Sequence, residues 1–365
     1  MLKWFESYLT DRKQYVFYNG ISSEVLSITC GVPQGSVLGP LLFLIYINDL
    51  PNISNKLQFF LFADDTNIYF DSHDLKIIEK TVNEELKKLT LWLNVNRLAL
   101  NVSKTNFVIF RANKPIYHNV TLLMNRKALE QKDHVKYLGV LVDEHLRWDF
   151  HINNVAKKIG RGVGILAKLR KYLTPHMLKN VYYCLVYSHL SYGIEAWGSA
   201  GITTLNKLVV LQKKAIRILS NERYFQIYGE YGPLPSAEPL FKKHGILKLD
   251  EIFQTNILNF VFSTLCFESP PIFWEWFKYN SSVHSYMTTT STVIVCDNYF
   301  DVGTPELTHS LRVPIGMLEK YGKRMVKYIG AKFWNELPGD IHDSCSLNTF
   351  KEKVKKFYIG RYEPS

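Results

Sequence analysis

Residues 61–70 read LFADDTNIYF, and they set two adjacent aspartates, Asp64 and Asp65, between apolar runs that have the look of paired strands. Aspartate suits turns because its side chain bonds its own backbone, so the plain reading is a hairpin turn. The alternative is a divalent-cation site, since Mg²⁺ takes hard oxygen ligands and only a few of them from protein. On a straight strand neighbouring side chains point to opposite faces, so both carboxylates reach one site only at a turn. Asp64 would then be the principal ligand and Asp65 the accessory one.

Upstream, GVPQGSVLGP (31–40) carries three glycines and two prolines and is no regular element. Ser36 is placed to cap an apolar helix running to about Leu50. Residues 13–30 predict two strands around Asn19-Gly20, the dipeptide suited to a tight hairpin, and residues 2–10 predict a helix. Downstream, Leu75, Ile78, Val82, Leu86, Leu89 and Leu93 recur at helical spacing with charged residues between them, an amphipathic helix made to cover a sheet. Strand-like runs follow at 105–110, 119–124 and 135–142, so residues 1–145 read as α+β. After Trp148 the pattern turns helical, at 150–173, 175–198 and 202–220, with further helices near 236–265 and 346–358. Trp197 and Trp334 read as core aromatics.

The 365 residues are 47% hydrophobic and 14% aromatic, which excludes a disordered chain, and the formal net charge is +11. That balance favours a polyanionic partner, although a basic surface also serves solubility. The surplus is local: residues 151–217 hold eleven Lys and Arg against one acid, Glu195. Five dispersed cysteines without a CxxC pair predict free thiols and no disulfide-linked partner. LLFLIYI (41–47) is too short to span a membrane, and 181–198 is interrupted by His189 and Glu195. An intracellular protein of nucleus or cytoplasm, with no membrane partner, is expected.

GVPQGSVLGPLLFLIYINDLP (31–51) followed closely by LFADD (61–65) resembles the palm of reverse transcriptases of jockey-like non-LTR retrotransposons. The resemblance continues through LNVSKTNFVIF (100–110), VKYLGVLVD (135–143), LSYGIEAWG (190–198) and KYIGAKFWNELP (327–338). It implies a right-hand polymerase: a partial palm over 1–145, a basic thumb-like helical region over 146–220, and a helical C-terminal region over 221–365. The implied activity is RNA-directed DNA polymerisation, in which two Mg²⁺ ions, or Mn²⁺ in their place, promote attack of a primer 3′-hydroxyl on a dNTP. RNA template, DNA primer or target, and dNTPs are the implied partners.

Residue by residue, Asp64 and Asp65 match the family's catalytic, metal-binding acidic pair. Pro33, Gln34 and Gly35 match the loop on the nascent base pair, where glycine admits close backbone approach; a simple strand-to-helix turn is the alternative. Lys104 matches a lysine near the phosphates, with a solvated strand-start lysine as alternative. Tyr137, Leu138 and Gly139 match the hairpin that holds the primer end, or an ordinary core strand. Lys157, Lys158, Arg161, Lys168, Arg170 and Lys171 share one sign, which a merely soluble face would mix with acids, and match the thumb's grip on the nucleic-acid backbone. The family's first catalytic aspartate belongs to a strand expected upstream of LKWFESYL, with the fingers, and no acid here stands in a matching context. Two expectations result: no polymerisation by this chain alone, and an unpaired palm edge. A non-catalytic nucleic-acid-binding remnant of an element is the rival reading.

Overall fold

The computed structural model describes residues 2–29, 31–32, 35–112, 118–220, 236–279, 310–314 and 322–362. The chain divides into two compact units, residues 1–132 and 133–365.

The first unit opens with helix α1 (Leu2–Leu9) and a nested pair of ribbons: β1 (Lys13–Gln14) pairs with β4 (Leu26–Ser27) outside β2 (Phe17–Tyr18) and β3 (Ile21–Ser22). Asn19 and Gly20 at the tip have φ of 46° and 80°, the two left-handed residues that a tight hairpin requires. Helix α2 (Leu38–Ile47) follows, and Ser36 Oγ accepts from the Gly39 amide at 3.0 Å, the predicted cap. Its sequence is apolar on every side, the pattern of a fully covered helix. Yet Leu41, Leu44 and Ile45 stand exposed, as do Tyr15, Phe17 and Ile21 before it.

The core of this unit forms where α3 (Leu75–Val95) lays Leu86 and Leu89 against Ile47, Leu50, Val120, Leu122 and Met124. Asp74 starts α3 by accepting from the Lys76 amide at 2.9 Å. Phe59 and Leu61 of β5 (Gln58–Phe62) and Ile68 of β6 (Asp65–Tyr69) border that core, while Phe60, Phe62 and Tyr69 point outward. Asn83 on α3 donates to the Thr121 carbonyl at 2.8 Å and accepts from the Leu123 amide at 2.7 Å, so a side-chain amide satisfies an edge that has no neighbouring strand among the described residues. Glu85 is buried and held below the usual carboxylate range, chiefly by the Lys88 ammonium at 2.9 Å. Short strands β7 (Asn106–Phe107), β8 (Leu123–Met124), β9 (Lys127–Ala128) and β10 (Glu130–Gln131) complete the unit, β7 and β10 pairing parallel.

The second unit begins with the hairpin β11 (His134–Tyr137) and β12 (Val140–Asp143). Asp143 is buried, and its carboxylate accepts from the amides of His145, Arg147 and Trp148 at 3.1, 3.0 and 2.7 Å. That bracket holds the turn into α4 (Asp149–Leu169), in which Leu146 and Trp148 take left-handed φ of 52° and 68°. The helix expected over 175–198 is not continuous. It comprises α5 (Pro175–Tyr182), a π-helical turn (Tyr183–Tyr187), α6 (Ser188–Ser191) and α7 (Ile194–Trp197). The break falls at Tyr192, which is extended, and Gly193, whose φ of 60° suits glycine.

Helix α8 (Ile202–Leu219) runs beside α4 in the same direction, tied to it by Thr204 to Asp149 at 2.9 Å and Lys207 to Asn153 at 2.8 Å. Gly162 lets α4 pack against the π turn, because a Cβ there would lie 2.7 Å from the Leu185 carbonyl oxygen. Helices α9 (Glu238–His244), α10 (Leu249–Leu265), α11 (Val326–Asn335), α12 (Gly339–His342) and α13 (Leu347–Gly360) continue one apolar core that includes Trp197 and Trp334, both fully buried as expected. Among the described residues no helix is long and apolar enough to cross a membrane, and Cys184, Cys266 and Cys345 form no disulfide. Cys30 and Cys296 lie outside the described residues.

His151, at the start of α4, is buried and accepts through Nδ1 from the Leu141 amide at 3.2 Å. Burial, with a smaller push from Lys158, lowers its pKa from 6.5 to about 4. The unfolded chain therefore takes up the proton first on acidification, and stability falls between pH 6.5 and 4, by up to about 3 kcal/mol. His151→Asn keeps an acceptor for Leu141 and removes the titration. Urea midpoints at pH 7.5 and 5 should then differ less in the variant than in the parent; equal pH sensitivity would count against this account.

Candidate metal centre and nucleic-acid interface

The acidic hairpin is in register from Gln58–Tyr69 to Phe62–Asp65, which leaves Ala63 and Asp64 as the two-residue turn. Asp64 thus sits in the turn and Asp65 begins the returning strand, on the same face as Phe62, its cross-strand partner. Ala63 has φ 50°, a conformation costing a residue with a Cβ about 1 kcal/mol or more. Both carboxylates are exposed, and neither forms an ion pair among the described residues. The sheet is two-stranded there, with both outer edges unpaired among the described residues.

Gly35 has φ 80° and open space where a Cβ would point, immediately before the Ser36 cap. Pro33 and Gln34 lie outside the described residues. Lys104 ends a 3₁₀ turn (Val102–Lys104) with an exposed ammonium that makes no ion pair to the aspartates. Asp49 accepts a long bond from Trp92 Nε1 at 3.4 Å, a contact within the fold.

Tyr137, Leu138 and Gly139 form the tip of the β11–β12 hairpin, with Tyr137 paired to Val140 and φ of 43° and 88° at Leu138 and Gly139. The tip is braced from the break after α6: Tyr192 donates its hydroxyl to the Leu138 carbonyl at 2.6 Å, and Gly193 abuts Val140. Sequence reading passes over Tyr192. Its position 54 residues beyond Leu138 gives no local signal, and only its place inside LSYGIEAWG marks it.

On α4, Lys157, Arg161 and Lys168 fall within an arc of about 40° along a ridge of about 16 Å, from helical geometry. All three are exposed and without ion-pair partners among the described residues. Lys158 lies on a different flank, near His151 and His189, whose pKa values it helps lower. Arg170 is the half-buried cap residue of α4, and Lys171 is exposed in the following turn. Lys207 is not marked by sequence, yet its bond to Asn153 puts its ammonium one turn before Lys157. A contact between helices leaves no trace in either helix's own periodicity.

Among the described residues no group of three or more His, Cys, Asp or Glu is arranged to hold a metal ion. Two adjacent carboxylates nevertheless suit Mg²⁺, which is commonly held by one or two carboxylates together with substrate phosphates and waters. Asp64 and Asp65 are the residues that would hold it.

Residues 1–142 match the family described as reverse transcriptase (RNA-dependent DNA polymerase). The RNA-directed DNA polymerase from mobile element jockey of Drosophila melanogaster is 28% identical over 231 residues, covering 60% of this chain and 25% of that protein. Its counterpart from Drosophila funebris is 30% identical over 231 residues with the same coverage. The probable RNA-directed DNA polymerase from transposon X-element of Drosophila melanogaster is 28% identical over 233 residues, again 60% of this chain and 25% of the relative. The chain spans about a quarter of the length of these relatives. No solved structure matches it. The acidic hairpin lies inside the matched region, and about 60% of the chain is similar to the RNA-directed DNA polymerases of jockey-like elements, with residues 1–142 matching the reverse transcriptase family itself.

Proposed function

We propose that this chain is part of an RNA-directed DNA polymerase, with residues 1–145 as partial palm, 146–220 as thumb-like region and 221–365 as a C-terminal region to which no role is assigned. The observation that carries the reading is the exposed Asp64–Asp65 pair at a strained hairpin tip inside the reverse transcriptase match. When bound, Mg²⁺ supplies neutralisation of the triphosphate and activation of the primer hydroxyl. The chain's own residues do the rest. Asp64, in the turn, and Asp65, at the strand start, present hard oxygens toward the reacting phosphates. The loop around Gly35 lets backbone approach the nascent pair. Lys104 stands as proton donor to pyrophosphate. Tyr137, Leu138 and Gly139 hold the primer end, and Lys157, Arg161 and Lys168 with Lys158, Arg170 and Lys171 grip the phosphate backbone.

A polymerase cage has more carboxylates than this pair, so the isolated chain is expected to bind template–primer without extending it. Supplied with Mg²⁺, dNTPs and oligo-dT-primed poly(rA), it should leave the primer unextended; robust extension lost in Asp64→Ala would overturn the expectation of inactivity. Binding separates the catalytic reading from a non-catalytic one. In Mg²⁺, dNTP should tighten template–primer binding by the parent chain and do so less in Asp64→Asn; indifference to that substitution would favour a binder that makes no use of the acidic pair.

A further inference from the structure

We propose that Tyr192 is a nucleobase-stacking residue, set beside the Leu138–Gly139 tip to receive the base at the end of a paired strand. The inference rests on reading that hairpin as the primer-end support. A tyrosine whose hydroxyl is spent inside the protein normally buries its ring as well. Tyr192 does the first and not the second: its hydroxyl donates to Leu138 at 2.6 Å, while 57% of the residue stays exposed. The ring edge lies against Gly139, where a Cβ would come 3.2 Å from Cε1, so glycine there lets ring and tip touch.

The backbone beneath is also fixed. The Tyr192 carbonyl accepts from Nε1 of the fully buried Trp197 at 3.0 Å, and Gly193 turns the chain at φ 60°. A rigid, open aromatic face loses little entropy on meeting a flat partner, the condition under which base stacking is effective. Tyr172 supplies the contrast: it is 82% exposed, and its hydroxyl has no hydrogen bond among the described residues, as expected of a surface tyrosine with no assigned orientation.

The surroundings suit the end of a nucleic-acid strand. Tyr137, also exposed, adjoins Leu138 on the same tip, and Lys136 beside it is exposed. Lys158 helps lower the pKa of His189, three residues before Tyr192, so positive charge is felt in this neighbourhood. Phosphate alone would call for cations without an aromatic plane. Stacking accepts any base, in keeping with sequence-tolerant contact.

The test is equilibrium binding of the full chain to a DNA primer annealed to an RNA template, across a salt series, with circular dichroism melting as the fold control. Tyr192→Phe and Tyr192→Trp keep a ring and should bind within about twofold of the parent or tighter, whereas Tyr192→Leu should bind roughly 5- to 100-fold more weakly. The slope of log K against log salt should stay the same in all three, since no phosphate contact is removed. Parent-like binding by Tyr192→Leu overturns the proposal, as does a loss in Tyr192→Phe equal to that in Tyr192→Leu, which would make the hydroxyl a strut only. Failure of the parent chain to bind template–primer would instead bring down the underlying reading and this inference with it.

Discussion

Exchange of Lys157, Arg161 and Lys168 together for glutamate should weaken template–primer binding on the order of 100-fold at 0.1 M salt, and should flatten the salt dependence by roughly three units of log–log slope. The three side chains share one exposed ridge of α4, so one strand's phosphates can meet all of them. The same exchange at Lys213 and Lys214, exposed on α8 and outside the proposed grip, is the control for net charge alone. If both sets lower affinity and slope equally per charge reversed, the ridge has no special role and the attraction belongs to the whole basic surface. Fold should be untouched in each variant, because none of these side chains has an ion-pair partner among the described residues.

Trp197→Ala should have the largest effect on stability. The side chain is fully buried in the core shared by α4, α8 and α10, and removal of such a ring costs about 3–5 kcal/mol. Against a total stability of about 5–15 kcal/mol, that loss would leave a substantial unfolded fraction under mild conditions. It would also free the Tyr192 carbonyl, which the indole Nε1 holds, and loosen the brace on the Leu138–Gly139 tip. Trp197→Phe keeps most of the volume and loses that hydrogen bond, so it should cost about 1–2 kcal/mol in packing and polar satisfaction. Urea denaturation gives both values, and amide exchange at Leu138 and Gly139 reports the brace. Unchanged exchange in a folded Trp197→Phe would separate the tip from the indole.

Much of the local architecture is legible in the linear order of the residues. The tight turn at Asn19-Gly20, the cap at Ser36 and the long stripe of α3 all stand where periodicity and turn chemistry put them. Each of these depends on residues within a few positions of one another. The helix expected over 175–198 shows the limit of that reasoning. Its apolar spacing is helical throughout, but Gly193 turns the chain left-handed so that Trp197 enters the core and Tyr192 stays at the surface. Nothing in the spacing forecasts that choice, because it is settled by what the segment packs against.

By itself, the sequence determined the acidic turn between two strands, the concentration of positive charge after residue 150, and the resemblance to reverse transcriptases over residues 1–142, since turn preference, charge and motif are properties of neighbours along the chain. Only the tertiary structure decided that Asp65 begins a strand while Asp64 occupies the turn, that Lys207 extends the α4 ridge, and that Tyr192 braces a hairpin tip 54 residues away. Contacts of that range come from close packing of the core, where a side chain's partner is chosen by shape and by unmet hydrogen bonds across elements that the linear order holds apart.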